Sequence, residues 1–239
     1  MDNTQKISAP TAIIIAGVLI AGGLYFGLSN RIPTAPAGPV PGQATVNIKD
    51  VKITPDNPVI GSATAPVTIA YWADYQCPFC KQFETAVLPD LLTKYVNTGK
   101  VKIVFKDYPF LGNDSTAAAL YGHAVWELYP DKFLAWNEAM YKAQDQEGDQ
   151  GFGNEDSIVK LIGTIQGMDA AKVKALVGQK KDAYTKAIDA SRQEGATLGI
   201  QGTPGFILGT QLIAGAQPLS NFSSSIDALL AKPAGIFKF

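Results

Sequence analysis

The chain has 239 residues, 46% hydrophobic and 17% charged, with 20 basic and 21 acidic side chains and a formal net charge of −1. That balance, with no run of Lys or Arg, lacks the basic footprint that phosphate backbones demand, so no nucleic-acid partner is expected. Two cysteines are too few for a disulfide scaffold or an iron–sulfur cluster, and one histidine excludes a His-rich metal centre, so no metal and no cofactor is expected.

Between Lys6 and Arg31 lie 24 uncharged residues, whose centre from Ala12 to Leu28 reads AIIIAGVLIAGGLYFGL. A spanning helix needs about 20 mostly apolar residues, so residues 1–29 are read as an uncleaved membrane anchor. A cleaved signal peptide competes, since Ala35-Pro36-Ala37 is a small-x-small site. That site lies well beyond the apolar centre, among prolines and Arg31, which is poor geometry for cleavage. Residues 30–45 hold four prolines (Pro33, Pro36, Pro39 and Pro41), a composition that favours extended polyproline II and reads as a linker. Almost the whole chain follows the single span, so the layout predicts an exported C-terminal domain, residues 46–239.

Within that domain, Val67 to Trp72 (VTIAYW) is a β-branched and aromatic run expected of a buried strand. Cys77 to Tyr95 reads as a helix with Pro78 at its favoured first position and Pro89 kinking it. Val101 to Phe105 is a second strand. Leu120, Tyr121, Ala124, Val125 and Leu128 form one helical stripe, and Ile158, Val159, Leu161, Ile162 and Ile165 a second, capped by Asn154 or Asp156. A further helix is predicted over Lys181–Leu198. Phe206–Leu208 and Leu212–Ile213 flank a Gly209-Thr210 hairpin turn, and Ser220–Leu230 forms a last amphipathic helix. The order gives an α/β fold with a helical insertion over residues 113–198.

One motif carries chemistry: Cys77-Pro78-Phe79-Cys80, between a strand and a helix. The spacing lets the sulfurs meet across one helical turn. The helix N-terminus puts partial positive charge and free N–H groups beside the first sulfur and favours its thiolate. Cys77 is thus expected to be an exposed nucleophile and Cys80 the resolving thiol. A zinc site would need about four ligands, and His123 is the one other N or S candidate. A structural disulfide closing so small a loop would stabilise little.

The stretch VTIAYWADYQCPFCKQFE (Val67–Glu84) resembles the thioredoxin-fold oxidoreductases of the DsbA type. KVKIVFKDYPF (Lys100–Phe110) and GIQGTPGFILGTQLIAGAQP (Gly199–Pro218) resemble later blocks of the same family, in the same order. The resemblance implies a thioredoxin fold with an inserted helical domain, an extracytoplasmic location and catalysis of dithiol–disulfide exchange. It also implies a cis Thr203-Pro204 bond beside the cysteines, where spacing alone would predict trans. Thr203 and Pro204 would then leave backbone groups free to pair with an extended substrate peptide.

Two departures stand out. The family often has a buried acid six residues before the first cysteine, where this chain has Tyr71; Asp74, three before it, either matches a common family Asp or is solvated. The dipeptide Pro78-Phe79 tunes the redox couple, and Phe79 cannot stabilise a thiolate as a histidine there would. Of the weaker signals, His123 and Trp126 lie roughly opposite the Leu120 stripe, where His123 faces the active site or is a surface or packed residue. Asp145, Glu147 and Asp149, with Asp156 at position 12, echo a calcium loop, but Gln150 stands where that loop needs glycine. Phe133, Trp136, Met140 and Tyr141 read as packing of the insertion or lining of a peptide groove. The resulting reading is a membrane-anchored, single-pass oxidase that donates a Cys77–Cys80 disulfide to unfolded or reduced exported proteins and is regenerated by a membrane-embedded, quinone-linked partner. The competing readings are a reductase or isomerase with the same mechanism, and a redox-inert peptide-binding chaperone.

Overall fold

The computed structural model describes residues 46–231, apart from 148 and 150. The anchor expected over residues 1–29 and the linker over residues 30–45 lie outside these. Among the described residues no helix is long and apolar enough to cross a membrane.

Five strands form one mixed sheet: β1 (Val59–Ile60), β2 (Val67–Ala73), β3 (Val101–Asp107), β4 (Gly205–Leu208) and β5 (Gln211–Ala214), in the order β1-β3-β2-β4-β5. β2 runs parallel to β3, with Tyr71 beside Phe105, and antiparallel to β4, with Tyr71 beside Phe206. Its apolar residues continue on both faces because both faces are covered. Ile69 and Tyr71 point into the larger core, while Ala70 and Trp72 pack with Val51, Ile200 and Ile207 on the other side. β4 and β5 are joined by Gly209-Thr210, with Gly209 at φ +62°, the left-handed region a glycine enters without strain.

The helix after β2 is broken where Pro89 falls. It runs as α1 (Pro78–Ala86), then a short α2 (Leu88–Leu91) and a π-helical turn over Leu92–Val96. Pro89 lacks the N–H that would bond back one turn, so the break at Val87 follows from the sequence. Between β3 and β4 come α3 (Asn113–Leu128), α4 (Phe133–Ala143), α5 (Glu155–Ile162) and α6 (Ala170–Thr197), and α7 (Leu219–Leu230) closes the domain. The Asn154 side chain caps α5 by accepting from Ser157 N at 3.0 Å, which decides between the two expected caps. α6 starts well before Lys181, under an Asp169 cap that accepts from Lys172 N at 3.1 Å. Its early turns bury only Val173 and Val177, a stripe too sparse to stand out.

Candidate active site

Cys77 is the N-cap of α1 and Cys80 lies one turn inside it. The backbone N–H groups of Phe79 and Cys80 and the Cys80 thiol all favour negative charge on Cys77 Sγ. With the Cys80 thiol contributing most, the Cys77 pKa falls from the usual 9 to about 6 despite burial. Cys80 goes the other way. Full burial pushes its thiol far above the ordinary range, and the neighbouring Cys77 charge adds to that. One sulfur is therefore a thiolate at neutral pH and the other stays a thiol.

The expected exposure of Cys77 is not what the structure has: the residue is only 4% exposed. The peptide bond Thr203–Pro204 is cis, and its loop lies over the sulfur, with Cys77 Sγ 3.3 Å from the Thr203 carbonyl oxygen. The Thr203 hydroxyl, buried beside the two sulfurs, lowers the pKa of both thiols as a hydrogen-bond donor. Pro78 and Phe79 are instead the exposed pair, Phe79 at 60%.

Asp74 is no solvated carboxylate. It is 1% exposed, and its oxygens accept from Gln76 N (2.8 Å), Ser115 Oγ (2.6 Å), Phe110 N (2.9 Å) and Leu111 N (3.2 Å). It thereby ties the turn before α1 to the loop after β3, whose Leu111 packs on the cysteines. Gln144 holds the other side: its Nε2 donates to the carbonyls of Tyr75 (2.6 Å) and Cys77 (3.1 Å). Neither role could be read from spacing, because the partners that tie these segments together lie tens of residues away.

Behind Cys80 lies a buried polar group that the sequence reading missed. Tyr71, in place of the family's acid, is enclosed among the rings of Phe83, Phe105 and Phe206 at 4.8–5.5 Å. An acid is nonetheless present, from the other element: Glu84 is 5% exposed and accepts from Asn137 Nδ2 at 2.7 Å on Oε2. Its Oε1 and the Tyr71 hydroxyl are buried without partners. Burial pushes the Glu84 carboxyl up to about 8, against the pull of the Asn137 amide and the nearby Tyr71 hydroxyl. Its signal was the four-residue step from Cys80, which puts both on one helix face.

The remaining candidates fall away from the cysteines. His123 is packed, not surface: Nε2 is 2.9 Å from Asp107 Oδ2 and the ring stacks on Tyr184 at 5.2 Å. Trp126 donates to the Pro55 carbonyl at 3.0 Å. Asp145 accepts from Phe152 N at 2.7 Å and Asp149 from Asp114 N at 2.9 Å, so these carboxylates pin loops. Among the described residues no three metal-ligating side chains come together. Phe133, Trp136 and Met140 are buried in the core, and Tyr141 is buried against the two cysteines.

Two unequal thiols one turn apart suit the exchange of a disulfide with another thiol, the chemistry of a thiol–disulfide oxidoreductase. A family model described as Thioredoxin matches residues 53–228. The chain is 27% identical over 180 residues to a probable disulfide bond formation protein D of Bacillus anthracis, covering 72% of this chain and 78% of the relative. Over 87 residues it is 37% identical to disulfide bond formation protein D of Bacillus subtilis, covering 36% and 39% of the two chains. The oxidised crystal structure of BdbD from Bacillus subtilis shares the fold at a TM-score of 0.68 and 24% identity, over 80% of this chain and 98% of that one. The chain belongs to the thioredoxin family and is a thiol–disulfide oxidoreductase.

Proposed function

We propose that the protein is an oxidase, with Cys77 as the nucleophilic sulfur and Cys80 as the resolving one, that donates its disulfide to exported proteins. The observation that carries this reading is the asymmetry of the pair: Cys77 caps the helix under the Thr203 carbonyl, and Cys80 is wholly enclosed. A stabilised Cys77 thiolate favours the dithiol, which makes the disulfide form the better oxidant. A substrate thiolate attacks Cys77 Sγ, the Cys77–Cys80 bond breaks and a mixed disulfide forms. A second substrate thiolate then attacks the substrate sulfur, and Cys77 leaves as thiolate with its electron pair. Pro78 and Phe79 set the potential of the pair, and Thr203 and Pro204 hold the substrate backbone beside the sulfur. The uncharged segment between Lys6 and Arg31 supports a single-pass anchor with the catalytic domain outside the cytoplasm. With two cysteines in the chain, reoxidation falls to an external acceptor, and the anchor would place the domain beside a membrane-embedded, quinone-linked one.

The test traps the cysteines in cells and assays the purified chain. Cys77 and Cys80 should be mostly oxidised at steady state. The protein should oxidise a reduced cysteine peptide faster than it reduces insulin with a thiol donor. A mostly reduced pair in cells, with a potential near thioredoxin's roughly −270 mV, would establish a reductase instead.

A further inference from the structure

We propose that Gln144 is a positioning residue for the nucleophilic cysteine: its amide clamps the carbonyls of Tyr75 and Cys77 and so fixes the Cys77 sulfur against the start of α1. The proposal rests on Cys77 being the attacked sulfur. It makes the inserted helices, and not the strand–helix turn alone, a determinant of that sulfur's reactivity.

The contacts are specific in kind as well as in place. Gln144 is the C-cap of α4 and is buried. Its Nε2 stands 2.6 Å from the Tyr75 carbonyl oxygen and 3.1 Å from that of Cys77. A carbonyl accepts and never donates, so the place calls for the two N–H groups of an amide, one for each oxygen. The two carbonyls bracket the Cys77 N–H, which donates to the Asp74 carbonyl at 3.1 Å. Among the described residues the Tyr75 carbonyl accepts from Gln144 alone, whereas that of Cys77 also accepts from Lys81 N at 3.1 Å. The amide thus fixes the last peptide planes of the turn. With them it fixes the extended Cys77 backbone (φ −79°, ψ 120°), from which Sγ meets the N–H groups of Phe79 and Cys80.

The grip is returned from the other helix. The Gln144 carbonyl, one of those left over at a helix end, accepts from Lys81 Nζ at 2.7 Å. One turn earlier on the same face of α4, Tyr141 packs on both cysteines, and its hydroxyl donates to the Asp74 carbonyl at 3.4 Å. The N-terminus of α1 and the C-terminus of α4 are therefore joined by donors running in both directions. The titratable groups around Cys77 are Cys80 from α1, Asp74 and Tyr75 from the turn before it and Tyr141 from α4, with Lys81 on the Gln144 carbonyl. Burial holds both tyrosines far above neutral pH, so they carry no charge there. Asp74 has its oxygens committed to four donors. The charge on Cys77 is thus left to the Cys80 thiol, the Thr203 hydroxyl and the N–H groups at the helix start, all of which depend on where Sγ is held.

The experiment titrates Cys77 by iodoacetamide alkylation in the reduced full chain, for the wild type, Gln144→Met and Gln144→Glu. Met keeps the length and bulk of the side chain without its N–H groups; Glu turns lone pairs and a charge toward the two carbonyls. A net hydrogen bond is worth up to about one pKa unit. In Gln144→Met the midpoint should therefore rise from about 6 by about half to one unit, and in Gln144→Glu at least as far. A rise of one unit cuts the thiolate fraction at pH 7 from about nine-tenths to about a half and weakens the disulfide as an oxidant of glutathione about fivefold. A loss of thermal stability with the midpoint unchanged in both variants would make Gln144 merely structural, overturning the proposal while leaving exchange intact. Alkylation of the wild type at Cys80 instead of Cys77 would overturn the assignment of the nucleophile and the proposal with it. Should the variants not fold, nuclear magnetic resonance of the wild type decides: the Gln144 side-chain amide protons should be protected from exchange and shift with the Cys77 midpoint. Amide protons that exchange as a free glutamine's do, or that ignore the Cys77 titration, refute the proposal.

Discussion

The sharpest consequence of the unequal sulfurs concerns Cys80→Ala. The largest influence lowering the Cys77 pKa to about 6 is the hydrogen bond from the Cys80 thiol. A hydrogen bond to a charged group contributes about 1.5–3 kcal/mol, or about one to two pKa units at about 1.4 kcal/mol each. Removing it should carry the Cys77 titration up to about 7–8. The thiolate fraction at pH 7 then drops from about nine-tenths to between about a half and a tenth. Cys80→Ser keeps a donor in place and should leave the midpoint within about half a unit of the wild type. The assay is thiolate ultraviolet absorbance or iodoacetamide alkylation against pH in the reduced proteins, read as a midpoint because nucleophilicity itself falls with pKa. The sign of the linked stability also follows. A depressed thiol pKa stabilises the reduced protein above about pH 6, by about 1.4 kcal/mol per pH unit up to the unfolded value of 9, and the effect is lost as pH falls through 6. At pH 7 that is about 1.4 kcal/mol, equivalent to about 30 mV in favour of the dithiol. A midpoint that stays at 6 in Cys80→Ala would mean that the helix N-terminus, not the second thiol, holds the charge.

Asp74→Ala leaves four donors, in the turn before α1, the loop after β3 and the first turn of α3, without their acceptor, and urea denaturation should show a loss of at least about 3 kcal/mol; a loss under about 1 kcal/mol would show that water replaces the carboxylate. Gly195→Ala, in α6, would place a Cβ 2.8 Å from Trp72 Nε1, whose indole is fully buried and donates to the Ser191 carbonyl. The clash should outweigh the helix propensity of alanine and cost about 1–3 kcal/mol by thermal or urea unfolding, and a stabilised variant would contradict the tight packing.

The parts of this fold that the sequence announced are those set by local pattern. The β-branched run over Val67–Trp72 could only be a strand buried on both faces. Pro78 opens α1, Pro89 breaks it, and Gly209 turns the β4–β5 hairpin, each through its own backbone chemistry. Elements with a weak pattern were harder to see. β1 is two residues long and has no period to detect. α4 was legible in principle, since Phe133, Trp136, Met140 and Tyr141 recur at helical spacing, yet the spacing alone does not say that it packs against the cysteines. The site itself divides the same way. Cys77 and Cys80 follow from their motif, whereas the cover over Cys77 comes from Thr203, 126 residues further on. Long-range partners of that kind leave no local trace.

Glu84 shows how a local period can nonetheless imply a chemical environment. The inward face of the α1–α2 segment carries Cys80, Phe83, Glu84, Val87 and Leu88, all buried and spaced by the helical step, while Pro78, Phe79 and Gln82 face out. Cys80 is enclosed because it belongs to that stripe, and Cys77 reaches the helix end because it stands one turn before the stripe begins. The redox asymmetry is thus set by depth along one helical phase: the first sulfur stands at the helix end and the second one turn inside. The same phase forces a carboxyl at position 84 into the core, where it must be neutral, paired with a cation or hydrogen-bonded. Among its contacts it has a single amide donor, from Asn137. With one hydrogen bond for two oxygens, the neutral acid is the form that suits this place at pH 7.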